Sequence, residues 1–216
     1  MFDKVMQFIS SKYLKFTDDE IWFGKDRMII YTLRWVVNQI HMNQKLFGTD
    51  YAASIYLSSK KQGIELIKTH ITPMKKLLNP IVKLSSDLAN AFGFIAIRSL
   101  KINHERTLMI ISGRSSVAEL YKKTFGSSDS PIDSVLSGVF AGAMACFSEK
   151  PIYGVELECS AQDGVGECTW AIGDIESVLN YTKKLFPARV EYAGKILELL
   201  QKTEKADLEG KSEKVF

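Results

Sequence analysis

Apolar residues recur at helical or strand spacing along most of the chain, and Gly, Pro and short polar runs mark the breaks. Phe2, Val5, Met6 and Ile9 fall on one face of a predicted amphipathic helix. The stretch 20–31 reads as two short strands around a Gly24-Lys25-Asp26 turn. A helix is predicted from Leu33 to Leu46 and closes at Gly48. Thr49 or Asp50 then caps a second one, Tyr51 to about Ile71. There Ala52, Ile55, Tyr56, Ser59, Gly63, Leu66 and Ile67 share helical spacing, and the small residues among them let another helix come close. Pro73 and Pro80 punctuate the chain before a predicted helix over 81–92.

Phe94 to Ile102 reads as a strand that turns at 103–106 and pairs with Thr107 to Ser112. A short helix over 115–125 and a polar loop over 126–131 follow. The Gly- and Ala-rich stretch 132–147 predicts a helix packed tightly on a sheet. Val155–Cys159 and Cys168–Ile172 supply the last two strands, and Asp174 opens a long C-terminal helix broken or bent near Pro187. From Lys202 onward the chain is charged and is expected to fray. Strands come in hairpin-like pairs rather than βαβ units, so the expected fold is α+β, an antiparallel sheet with helices packed on it. No linker-like stretch divides the chain, which predicts one domain over 1–205 and a flexible tail over 206–216.

Bulk properties narrow the class. A chain of 216 residues with 46% hydrophobic residues can bury a substantial core in one domain. A net charge of +3, with basic residues scattered, predicts no nucleic-acid partner. No apolar run is long enough to span a membrane, and the N-terminus lacks the apolar core of a signal peptide. Three cysteines argue against a secreted disulfide framework, so a cytoplasmic protein is expected. Neither the dinucleotide nor the P-loop glycine pattern is present, so no nucleotide cofactor is predicted. His41, His70 and His104 share no ligand spacing, no Ser-His-Asp arrangement can be argued, and no catalytic residue is predicted.

Reactive side chains concentrate in one place. Cys159 and Cys168 flank an Asp163-Gly164-Val165-Gly166 turn, with Glu156 and Glu158 just upstream of the first. Three readings stand side by side. The cysteines can be small buried members of an apolar face, since free Cys is among the most buried residue types. They can be soft ligands of a metal, for which zinc is the natural ion and Glu156 the nearest carboxylate. They can also form a cross-strand redox pair. The metal reading meets a geometric objection: three residues separate Glu156 from Cys159, so a flat strand points them to opposite faces unless it ends, twists or bulges between them.

The stretch 132–172 resembles the four-vinyl reductase domain family, whose fold is related to that of TRAPP vesicle-tethering subunits. Gly138, the Ala141-Gly142-Ala143 step, the Glu156-Leu157-Glu158-Cys159 strand and the Gly164-Val165-Gly166-Glu167-Cys168 turn carry the resemblance. It implies a compact α+β domain that dimerises and encloses an apolar cavity, and hence a homodimeric, non-enzymatic binding or sensor domain for a small hydrophobic molecule. An assembly protein of the tethering-subunit kind is the alternative, and a reductase a third. In the family's phenol-responsive regulators a structural zinc is held by a cysteine before the Gly/Ala helix, then by Glu and Cys of the strand and a second Cys. The matching positions are Glu156, Cys159 and Cys168, while the first aligns with Asp133, a harder ligand than cysteine. The turn here is one residue longer than the family's common spacing. The aromatics expected to line the cavity are Trp22, Phe23, Phe94, Phe140, Tyr153 and Trp170.

Overall fold

The computed structural model describes residues 14–16, 21–23, 26–28, 32–70, 93–103 and 107–209. The helices expected over 2–9 and 81–92 and the turn at His104 lie outside them.

Three short strands, β1 (Leu14–Phe16), β2 (Ile21–Phe23) and β3 (Asp26–Met28), form an antiparallel sheet in that order. The first has no counterpart in the pattern of the sequence. Helix α1 (Leu33–His70) joins the two expected helices across Gly48, whose φ of 55° and ψ of −132° break the helical path. Only a residue without Cβ adopts that conformation readily, so the glycine sets the kink.

The main sheet has four antiparallel strands, β4 (Ile95–Asn103), β5 (Leu108–Ser115), β6 (Tyr153–Glu158) and β7 (Cys168–Gly173), in the order β4-β5-β7-β6. Between β5 and β6 come α2 (Ser116–Phe125) and α3 (Ser134–Ala145). After β7 come α4 (Ile175–Leu185), a 3-10 turn at Pro187–Arg189 and α5 (Val190–Leu208). The fold is α+β, with α3, α4 and α5 packed on the β6–β7 pair. Each residue of β7 is buried, as expected for an inner strand covered on both faces.

Local chemistry explains the boundaries. The Ser115 hydroxyl caps α2 by accepting the Ala118 N–H at 3.1 Å, and the Asp174 carboxylate caps α4 by accepting that of Ser177 at 2.9 Å. Pro187 lacks the N–H needed to continue α4. Helix α5 runs to Leu208, past the point where its charge predicts fraying. Glu204 and Asp207 account for this, each pairing at 2.7 Å with a lysine of α1, Lys60 and Lys61. Lys60 is buried, and its ammonium also lies over the Tyr153 ring, 4.7 Å from the centroid.

Helix α3 is held between α1 and the sheet. Its Phe140 ring packs edge-on against Trp170, with centroids 6.4 Å apart. Toward α1 its glycines leave no room for a side chain. A Cβ built on Gly142 would lie 2.1 Å from the Lys60 carbonyl oxygen, one on Gly138 2.3 Å from that of Tyr56, and one on Gly63 2.4 Å from that of Val139. The Gly- and Ala-rich helix therefore does lie on the sheet, but its glycines serve the contact with α1. Among the described residues, no helix is long and apolar enough to cross a membrane.

Candidate functional site

Strand β6 answers the geometric objection to a shared Glu156–Cys159 site. Its register against β7 shifts between Glu156, opposite Trp170, and Glu158, opposite Thr169, so Leu157 is extra. The bulge changes which way the following side chains point, and the strand ends at Glu158, leaving Cys159 in the turn. Two further bonds wind that turn tightly, from the Gln162 and Asp163 N–H groups to the Cys159 carbonyl at 3.0 and 2.8 Å. The Asp163 carboxylate then accepts the Cys159 N–H at 2.9 Å and pairs with Arg189 at the foot of α5.

As a result one donor atom from each of Glu156, Cys159 and Cys168 lies within 4.8 Å of the others, all three residues buried. Bond lengths of zinc to S and O place tetrahedral ligand atoms about 3.5 Å apart, so small side-chain shifts bring this trio onto one ion. Both cysteines are free thiols. Burial and the neighbouring Cys168 thiol push the Cys159 thiol far up, the latter most, while the Ile132 and Ala161 amides oppose that rise. The Ser160 N–H reaches the Cys168 sulfur at 3.3 Å. The amides at Cys159 do not reverse that rise, so a metal ion would have to displace the thiol's proton on binding.

Glu156 sharpens the fit. One oxygen accepts the Asp133 N–H at 2.9 Å, but the other, Oε1, is buried without a hydrogen-bond partner among the described residues. An orphaned buried carboxylate oxygen is costly, and a cation beside the two sulfurs would remove the cost. Burial, then the Cys159 thiol and Asp133, raises the Glu156 carboxyl well above the ordinary range. Burial likewise raises Asp133 to about 6, against the pull of its hydrogen bond from Ser115. Asp133 itself is not one of the converging three.

These shifts fix a pH dependence. Both carboxyls titrate higher folded than unfolded, so the folded chain binds more protons. For Asp133 the stability this gives is complete below about pH 4 and is lost as pH rises through about 6. Metal-free protein should lose about 1–2 kcal/mol between pH 5 and 7.5 from Asp133 alone. Zinc competes with protons for Glu156 and the two thiols, so its binding strengthens as pH rises. Thermal melts in chelator should therefore rank pH 5 above pH 7.5, and excess zinc should reverse the ranking. A ranking that zinc leaves unchanged counts against a metal here.

Beside this cluster, Glu156 forms part of the wall of a cavity of about 150 Å³ between α1, the start of α3, β6 and α5. Ala52, Tyr56, Val155, Tyr192, Ile196 and Leu199 are among the residues that line it. Two phenols give it polar points. The Tyr56 hydroxyl accepts the Gly154 N–H at 2.9 Å, which leaves its own proton available to donate. Burial, and secondarily Glu156, raises the Tyr192 phenol, so it too stays protonated. A mostly apolar cavity with a few convergent polar groups is the usual form of a small-molecule site.

Of the aromatics singled out from sequence, the four whose side chains are described do not gather around the cavity. Trp22 and Phe23 lie on β2, with side chains outside the described residues. Phe94 is exposed just before β4, Phe140 and Trp170 are packed on each other in the core, and Tyr153 is buried under Lys60. None of these four lines the cavity. His41 stacks on Phe125 and hydrogen-bonds the Tyr121 hydroxyl at 2.9 Å, a structural role. The α5 wall carries a readable signal that aromatic content alone misses: Tyr192, Ile196 and Leu199 recur at four and seven residues, one face of a helix.

No family model and no curated protein matches the chain. Solved structures do resemble it. The phenol-responsive sensory domain of the transcription activator PoxR, with phenol, superposes with a TM-score of 0.64 at 18% identity, covering 82% of this chain and 91% of that one. A vinyl-4-reductase family protein from Methanocaldococcus jannaschii gives 0.43 at 16%, over 68% and 83% of the two chains. Trafficking protein particle complex subunit 3 from Naegleria fowleri, covalently bound to palmitic acid, gives 0.44 at 12%, over 65% and 93%. The first likeness shows that this chain has the fold of that sensory domain; the other two are too distant to argue from.

Proposed function

We propose that this chain is a binding or sensor domain for a small, mostly apolar molecule, and that zinc at Glu156, Cys159 and Cys168 staples the β6–β7 turn. The cavity between α1, β6 and α5 carries the reading. At about 150 Å³ it suits a molecule the size of a single aromatic ring. The Tyr56 and Tyr192 hydroxyls suit a ligand with one polar group. The fold shared with a phenol-responsive domain gives the same size class. Glu156 and the cysteines hold the ion, while Asp163 and Arg189 tie the metal-bearing turn to the helix that walls the cavity. Bound zinc would fix the turn and neutralise the buried carboxylate.

The binding test is thermal. Saturating phenol or benzene should raise the melting temperature by a few degrees, as roughly 1–2 kcal/mol of ligand stabilisation does for a chain of this length. Ala52→Leu, which fills the cavity, should abolish the shift. No shift with either compound would remove the cavity from consideration.

The same reading places the protein in the cytoplasm as a homodimer. Met42, Leu46 and Phe47 are exposed on the first half of α1 and offer an apolar surface for a second copy. Native mass spectrometry should find a dimer with two zinc ions. A stable complex with a different protein and an empty cavity would favour an assembly role instead.

A further inference from the structure

We infer that the metal centre, if the metal reading above holds, is bound by three residues only, with Asp133 held off it and the fourth position open to a small donor ligand. Asp133 is buried next to Glu156 and donates its backbone N–H to that carboxylate, yet its own side chain is not among the converging donors. One oxygen of its carboxylate, Oδ2, accepts from the hydroxyl of Ser115.

That hydroxyl has little freedom to point another way. Its oxygen already accepts the Ala118 N–H at 3.1 Å as the cap of α2, so its proton is directed to Asp133. The Asp133 backbone is fixed as well, since its carbonyl accepts both the N–H and the hydroxyl of Ser137, at 3.1 and 3.2 Å. For Asp133 to reach an ion beside Cys159, the chain would have to strand a buried hydroxyl donor at the start of α2. The sulfurs meanwhile take backbone N–H groups from Ile132, Ala161 and Ser160, so their remaining lone pairs suit an ion.

Zinc takes four ligands, and sites with three protein ligands keep the fourth for water or an incoming molecule. Glu156 belongs to both the donor trio and the cavity wall, so that molecule comes from the cavity. The ligand class is a small neutral or anionic molecule with one coordinating atom, such as an azole, a thiol or a hydroxyl.

The full-length chain loaded with cobalt(II) tests this. Two thiolate ligands give a charge-transfer band, and the d–d bands report the remaining positions. Imidazole or azide should shift the d–d bands saturably, and Asp133→Asn, which still accepts from Ser115, should leave their positions unchanged. Wild-type bands that neither additive moves, or bands displaced in Asp133→Asn, overturn the inference. Absence of the charge-transfer band, or its full persistence in Cys168→Ser, overturns the metal reading and the inference with it.

Discussion

Gly142→Ala should destabilise the protein by about 3 kcal/mol or more, the upper end for overpacking a core. A chain of this length would then melt roughly 6–12 °C lower. The added methyl carbon would sit 2.1 Å from the Lys60 carbonyl oxygen and 2.9 Å from the Ile64 nitrogen. Both are backbone atoms of α1, so no rotamer change makes room and the two helices must part. Parting them would loosen Phe140 from Trp170 and move Tyr56 away from Gly154, whose N–H its hydroxyl accepts. Gly194→Ala is the matched control: it lies in α5 with nothing within 4 Å of the new carbon. Relief of backbone entropy should there raise stability by up to about 1 kcal/mol. Urea unfolding of the two variants decides the matter. A Gly142→Ala chain within 1 kcal/mol of the parent would mean that the α1–α3 contact is looser than described.

Removing a cysteine of the candidate metal centre should have the second large effect. Cys159→Ser is expected to weaken zinc binding more than 100-fold, because two ligands remain where three converge. In the parent chain, zinc at about 1,000 times its dissociation constant adds about 4 kcal/mol of stability over the chelator-treated protein. In the variant that difference should fall to about 1.4 kcal/mol or less. Comparing each protein with and without zinc separates metal loss from the cost of altering a buried side chain. A chelator-insensitive parent, or a Cys159→Ser variant that gains as much stability from zinc as the parent, would leave the cysteines as core residues.

How far the sequence reveals these features depends on the range of the forces involved. Local signals are strong: Gly48 marks the break in α1, Ser115 and Asp174 stand as caps, and Pro187 separates α4 from α5. Strand periodicity locates β4 to β7 within a few residues. The stretch 155–168 likewise marks the donor trio, because its three members are close in sequence. The cavity is harder to see. Its walls come from Ala52, Tyr56, Val155 and Tyr192, residues scattered over 140 positions that only packing brings together. Aromatic content is a poor guide to it, since Phe140 and Trp170 are spent on each other. The persistence of α5 beyond Lys202 has the same origin: Glu204 and Asp207 look like fraying charges until α1 supplies their lysines. The bulge at Leu157 is likewise invisible to a period-two reading, although it places Glu156 beside the thiols.

The glycine seam between α1 and α3 also limits how this domain can diversify. Three walls of the cavity, from α1, α3 and β6, are spaced at Gly63, Gly138, Gly142 and Gly154 by close approach to neighbouring backbone, which leaves no room to add a side chain there. The fourth, α5, meets the cavity through Tyr192, Ile196, Leu199 and Leu200, of which Ile196 and Leu199 are the side chains whose volumes can change without adding to the glycine contacts. Variants that accept larger or smaller molecules should therefore accumulate their substitutions on that one helix face, with the rest of the chamber acting as a fixed mould.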